Sequence, residues 1–321
     1  MNNNNESLDA RAIAQAQSAQ GGSEKKNQPS KEEKSFNSHY TQLWSSNNPG
    51  LIIFLLDQSA SMAELYRSTG KSKAQYAADI VSDQINEFII KNKPSETFRN
   101  RVRFVVIGYG GNDPVTGVQT LLAGNVEDLA LSTQFPIREK EIKKGDKIIK
   151  IGGSKQFVTP RAEGITPMKE AFEVAKGIID NFIEKYPNAP APLIINISDG
   201  FPEVNGKNQK DYQQEVVEIV KEIRKKETPD GKTLVFNIHI GEGTPVGFEG
   251  DENKIKSLND ACVQFLFDIS SFLPKRYRKN AIGVGLDEDF PNLVVDEPKP
   301  RGFISNADSK QFHKFIIFGT K

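Results

Sequence analysis

Three oxygen-bearing side chains alternate at Asp57, Ser59 and Ser61, a carboxylate followed by two hydroxyls. Two residues of the same chemistry stand further along: Thr166, in the segment EGITPM (163–168), and Asp199, in LIINISDG (193–200). None of the five offers sulfur or imidazole. Oxygen donors alone suit a small hard cation such as Mg2+ (or Mn2+) far better than zinc. By itself D-x-S-x-S says little, because Asp and Ser favour turns and helix caps on their own account. The five say more together if the elements that carry them bring them to one place.

Those elements read as an α/β sheet. Residues 51–56, LIIFLL, form an apolar run of strand length without alternation, the pattern of a strand covered on both faces and expected at the centre of a parallel sheet. It ends in Asp57. Residues 193–198 form a second such run, ending in Asp199. In an open α/β sheet, ligands gather beyond the carboxyl ends of the strands where strand order reverses, so two strands ending in Asp point at one crevice. Thr166 precedes a helix whose apolar stripe is Met168, Ala171, Phe172, Ala175, Ile178, Ile179 and Phe182, with Pro167 at a tolerated first-turn position. Ala77, Ile80, Val81, Ile85, Phe88 and Ile89 predict a helix over 73–91, and Tyr212, Val216, Ile219, Val220 and Ile223 another. Strands are expected at 101–110 and 232–241. The short turn GGNDP (110–114) makes 118–123 an antiparallel edge strand beside the first of these. A polar loop is expected at 242–253, and helices at 258–272 and 307–318.

The balance of 42 basic and 42 acidic residues asks for neither nucleic acid nor a membrane surface. One cysteine, Cys262, forbids an internal disulfide; inside a predicted helix it reads as a buried, inert thiol. No apolar stretch approaches the ~18–20 residues of a membrane span. The polar N-terminus lacks a signal sequence, and the expected location is cytoplasmic. Residues 1–48 are poor in core-forming side chains and read as a disordered leader whose removal up to residue 45 leaves stability unchanged. Residues 49–321 read as the folded domain, with an inserted hairpin over about 137–151 built on the KKGD turn and a C-terminal extension from about 274. KRYRK (275–279) reads as a basic cluster at the C-terminus of the preceding helix, where cations complement the dipole. His239, alone on its strand, reads as a packing residue.

In order and placement, Asp57, Ser59, Ser61, Thr166 and Asp199 resemble the metal-ion-dependent adhesion site of von Willebrand factor A (vWA) domains, matching all five positions. The short antiparallel edge strand fits the same family. The phrases FLFDISSFLP and PRGFISNADSKQFHKFIIFGT are similar to the ending of a bacterial intracellular subgroup associated with tellurium-resistance clusters. The resemblance implies a doubly wound, Rossmann-like α/β fold with helices on both faces and Mg2+ (or Mn2+) on the five residues. It also implies a protein partner that completes the metal shell with an Asp or Glu carboxylate. In the subgroup, a PP2C-type phosphatase and a serine/threonine kinase are the partners implied, in a stress-response or phage-defence system. Partnership with an AAA+ ATPase is the alternative. A Mg2+-dependent phosphohydrolase is a third reading, with little to carry it: there is no G-x-x-x-x-G-K-[ST] loop, and the three His, at 39, 239 and 313, build no nucleophile–base arrangement. No catalytic residue is expected.

Overall fold

The computed structural model describes residues 40–319 apart from 94–95, 145–146 and 296, so the expected leader lies outside the described residues as far as residue 39. The chain runs through β1 (Gly50–Gln58), α1 (Lys73–Lys91), β2 (Val102–Gly110), β3 (Val118–Asn125) and α2 (Val126–Leu131) to a hairpin of β4 (Ile137–Lys144) and β5 (Lys147–Lys155). Then come α3 (Met168–Lys185), β6 (Leu193–Ser198), α4 (Gln209–Ile223), the two-residue strands β7 (Glu227–Thr228) and β8 (Gly231–Lys232), and β9 (Leu234–His239). Last are β10 (Val246–Gly247), α5 (Glu252–Lys256), α6 (Ala261–Asp268), α7 (Lys275–Gly283), β11 (Phe303–Ser305) and α8 (Ser309–Gly319).

Seven strands form one sheet in the order β10-β11-β9-β6-β1-β2-β3. From β11 to β2 every pair is parallel. β3 is antiparallel to β2 at one edge, as expected, and the two-residue β10 is antiparallel to β11 at the other. All nine residues of β1 are buried. Its Leu51, Ile53 and Leu55 pack with Phe172, Ala175 and Ile179 of α3, Val216 and Val220 of α4 and Val263 and Leu266 of α6. Alternate residues face the opposite side. There α1 brings Phe88 against Phe104, with ring centroids 5.2 Å apart. Phe315 and Phe318 of α8 and Tyr277 of α7 surround Phe236 at 6.3, 5.8 and 5.5 Å. Both faces are thus covered, which is why the run at 51–56 does not alternate. This is the doubly wound, mostly parallel α/β sheet expected.

A chain of buried polar groups crosses the sheet interior. Tyr109 donates its hydroxyl to Asn196 Oδ1 (2.8 Å), the Asn196 amide donates to Asn237 Oδ1 (3.0 Å), and the Asn237 amide donates to Ser270 Oγ (2.9 Å). Every link satisfies a group that burial would otherwise penalise.

Several expectations need correction. Packed chain begins before residue 49: Tyr40 is buried and donates to the Lys232 carbonyl (3.1 Å), and Trp44 stacks on Phe88 at 6.0 Å. The helix expected at 258–272 spans only Ala261–Asp268. Asn259 takes a left-handed backbone (φ 52°) and Asp260 caps the new start, while Ser271 leaves the helix to bond β9, donating its N–H to the Val235 carbonyl and accepting from the Val235 N–H. The loop expected at 242–253 contains β10 and the first residues of α5. KRYRK ends no helix; after Pro274 it begins α7, so dipole complementarity does not explain it. Its Arg276 donates to the Gln42 carbonyl (2.6 Å), and Tyr277 is buried. Residues 303–305, not anticipated as a strand, join the sheet as β11. Hairpin β4–β5 is present and longer than expected, ending at Lys155. Its base is tied to α1 by Arg138 to Asp79 (2.8 Å) and by Lys155 N–H to Asn86 Oδ1 (3.1 Å). Among the described residues no helix is long and apolar enough to cross a membrane.

Candidate functional site

Between β1 and β6 the strand order reverses. The chain leaves β1 through α1 on one face, whereas α3, on the other face, leads into β6. Parallel pairing sets Leu56 beside Ile197, so Asp57 and Ser198 are the next pair outward and Asp199 follows. Ser198 Oγ donates to Asp57 Oδ2 (2.5 Å), and the Ser59 N–H donates to Asp57 Oδ1 (2.9 Å). A 3-10 turn over Ala60–Ala63 then folds the chain back. The hydroxyl oxygens of Ser59 and Ser61 come within 3.2 Å, and Ser61 Oγ donates to Asp199 Oδ1 (2.8 Å). Asp57, Ser59, Ser61 and Asp199 are therefore joined by direct contacts.

Thr166 arrives by backbone. The loop before α3 is stitched to the end of β1 by Ala60 N–H to the Gly164 carbonyl (3.1 Å) and Glu163 N–H to the Gln58 carbonyl (2.8 Å). Across its other side, Gly111 N–H donates to the Glu163 carbonyl (2.6 Å) and Ile165 N–H to the Gly111 carbonyl (2.8 Å). Gly164 makes this close approach possible. It has φ 71°, and a Cβ there would lie 2.0 Å from the Gly111 oxygen. Thr166 itself exchanges two backbone bonds with Glu203 (2.9 and 3.1 Å) and is 7% exposed. Among the described residues its hydroxyl makes no hydrogen bond to the other four.

Three neighbours escaped the sequence reading. Ser198 orients Asp57. Lys73, the first residue of α1, reaches Asp199 Oδ2 (2.8 Å) and Glu64 Oε2 (2.7 Å), its side chain only 10% exposed. Its position carried a signal: a cation in the first turn of a helix opposes the dipole, which an acidic partner must offset. Glu64, on the exposed loop after the 3-10 turn, supplies one such partner.

Burial, then the charge of Asp199, pushes the Asp57 carboxyl up to about 6, against the hydrogen bonds from Ser198 and Ser59. Desolvation opposes the Lys73 ammonium, but its bonds to Asp199 and Glu64 prevail and hold its pKa above the usual value. Those bonds lower Glu64. Nearby, burial lowers His239 despite Asp260 and Asp199, and its Nδ1 lies 2.9 Å from Ser305 Oγ. Burial and the same two carboxylates push the Cys262 thiol up to about 11. His239 is buried, as a packing residue should be, whereas Cys262 is only partly buried, short of the buried thiol expected.

The donor set is all oxygen, with two side-chain carboxylates and three hydroxyls, and its residues fit a hard divalent cation. Two buried carboxylates, Asp57 and Asp199, oppose each other electrostatically, and the one ammonium, Lys73, bonds Asp199 and Glu64. That leaves negative charge for a cation to balance. Among the described residues no cluster of three or more His, Cys, Asp or Glu forms a competing centre. A small cavity of about 10 Å³ behind Asp57, between α1 and residues 158–161, touches none of the other four. An open groove of about 500 Å³ lined by Lys169, Glu173, Lys176, Glu215 and Glu222 includes none of the five residues. Access to the site is from the surface, through exposed Ser61.

No family model matches the chain, and no curated protein matches it. Solved structures similar to it include the vWF domain of the type V pili tip protein Mfa5 from Porphyromonas gingivalis, at 19% identity over 51% of this chain and 44% of that one, TM-score 0.29. Another is the PilB minor pilin from Streptococcus sanguinis, at 10% identity over 84% and 60%, TM-score 0.41. A third is the pilus adhesin SpaC from Lactobacillus rhamnosus GG, at 13% identity over 61% and 25%, TM-score 0.39. The chain spans less than two thirds of each. These TM-scores are below 0.5; the mostly parallel α/β sheet is seen in the strand order and pairing of the chain itself.

Proposed function

We propose that the crevice at the ends of β1 and β6 is a divalent-cation site of the vWA type, and that the protein uses it to recognise a partner protein rather than to catalyse a reaction. The convergence of Asp57, Ser59, Ser61 and Asp199 at the reversal of strand order carries this reading. In it Ser59, Ser61 and Thr166 ligate Mg2+ or Mn2+ through hydroxyls, while Asp57 and Asp199 act mainly through water or as outer carboxylates. Hydroxyls coordinate without neutralising, so a bound ion would supply an open, electrophilic position to an Asp or Glu carboxylate of the partner.

The chain's own part is to hold these groups in place. Ser198 fixes Asp57, the Gly111–Gly164 contact carries Thr166, and Ser61 marks the opening to solvent. Kinase and PP2C-type phosphatase partners, or alternatively an AAA+ ATPase, follow from the resemblance of the motifs and C-terminal phrases.

Two measurements test the reading. Mn2+ titration should show one site in the wild type and none in the Ser59→Ala/Ser61→Ala variant, with cooperative unfolding retained. Affinity capture from cells should yield a partner in Mg2+ that is lost both in EDTA and with the variant. A partner retained under both conditions would place recognition elsewhere. Phosphoester turnover lost with the variant would replace the interaction reading with a hydrolase.

A further inference from the structure

Lys73 is an unusual residue for its position. It opens α1, where the helix dipole disfavours a cation, and its long side chain is almost wholly removed from water. It is held there by two carboxylates of different character. The Asp199 side chain is 1% exposed, and each of its oxygens accepts a hydrogen bond, Oδ1 from Ser61 and Oδ2 from Lys73. Glu64 is 68% exposed and bonds Lys73 from the solvent side. The backbone reinforces the arrangement, since the Lys73 N–H donates to the Glu64 carbonyl at 2.8 Å.

From this geometry we infer that Lys73 is a tethered competitor for the divalent cation, occupying Asp199 until the ion enters and then resting on Glu64. The inference depends on the cation reading above and adds the residue that sets affinity at that site. With Asp57, Asp199 and Glu64 ionised, three carboxylates stand against one ammonium, a deficit of two charges that a divalent ion balances and a monovalent ion does not. An ion drawing on Asp199, directly or through water, competes with the two donors already bound there. Ser61 is itself a candidate ligand, so the ammonium is the donor to be displaced. Glu64 gives it somewhere to go without leaving a buried charge unpaired, which would be strongly unfavourable. The site therefore needs enough cation, or a partner that adds a carboxylate, to move Lys73 aside.

The test is Mn2+ affinity, read from the loss of the free-ion electron paramagnetic resonance signal at pH 7.5 and low salt, for wild type, Lys73→Met, Glu64→Gln and the double variant. Thermal unfolding of each in EDTA serves as the check on folding. Lys73→Met is expected to bind Mn2+ at least tenfold more tightly, ~1.4 kcal/mol. Glu64→Gln, an exposed change that leaves the core untouched, should weaken binding several-fold in the wild-type background and less than twofold beside Lys73→Met. If the wild type binds and Lys73→Met binds no more tightly, Lys73 merely holds Asp199 in place and the inference falls while the cation reading stands. Unchanged affinity in Glu64→Gln overturns it equally, even if Lys73→Met does not fold. If neither wild type nor Lys73→Met binds Mn2+, the cation reading fails and takes the inference with it.

Discussion

Replacing Asp57 with Asn should make the metal-free protein more stable while abolishing its response to cations. In the unfolded chain this carboxyl ionises near its ordinary value of 3.8, whereas in the fold burial and Asp199 delay ionisation to about 6. Between those values the native state keeps a proton that the unfolded state has released, so stability falls as pH rises, and above about pH 6 the whole penalty stands. A difference of about 2 units is worth up to ~3 kcal/mol. Asn keeps the shape, can accept from the Ser59 N–H, and presents its amide to Ser198 Oγ, so the neutral side chain escapes the penalty without opening a cavity. In EDTA at pH 7.5 the variant should therefore melt several degrees higher, at ~2–4 °C per kcal/mol for a domain of this size. The gap should close as pH falls below 4. Mg2+ at a thousandfold excess over Kd should reverse the order, because the wild type then gains ~4.1 kcal/mol, more than the penalty, and the variant gains nothing. Differential scanning calorimetry across pH, with and without Mg2+, reads all three effects. A variant that melts no higher than wild type in EDTA at neutral pH would refute the electrostatic argument.

Other perturbations follow from the same geometry. Gly164→Ala forces a Cβ to within 2.0 Å of the Gly111 oxygen at a left-handed backbone, so it should cost ~1–3 kcal/mol in urea unfolding and weaken Mn2+ binding by moving Thr166. Tyr40→Ala should cost ~3 kcal/mol, as should deletion of residues 1–45, because Tyr40 is buried and bonded to Lys232; urea titration measures both. This replaces the expectation that the first 45 residues are dispensable. Ser59→Ala/Ser61→Ala should lose Mn2+ binding yet unfold cooperatively, since Ser61 is exposed and neither hydroxyl fills the apolar core.

The sheet centre was legible because strands buried on both faces leave an unmistakable record, an apolar run cut off by a polar residue at the strand end. β1 and β6 both carry it, and so the amino-acid sequence alone puts Asp57 and Asp199 at the ends of two buried strands. Thr166 was legible through the helix it precedes. What stayed hidden depended on distant partners. Lys73 and Glu64 are ordinary surface residues until the fold places Asp199, 126 positions from Lys73, against them. Phe303, Ile304 and Ser305 make too short a segment to announce a strand, and only the free edge of β9 turns them into one. Tyr40 sits in a polar, Ser- and Asn-rich stretch, and its burial is created by Asp230, Lys232 and α7. KRYRK misled because its charges suited a helix end, when Pro274 before it signalled a beginning.

The insertion of β11 between β9 and β10 also governs how the chain can fold. Until residues 303–319 are available, β9 has an unpaired edge, and Phe236 lacks the cover of Phe315 and Phe318. A protein synthesised from its N-terminus therefore carries an unfinished sheet until then, with an open strand edge and bare aromatic surface of the kind that draws chains together. The closing pairing spans Asn237 to Phe303, a long-range contact of the sort that slows folding. Until that pairing forms, the edge of β9 is open to pairing with another chain.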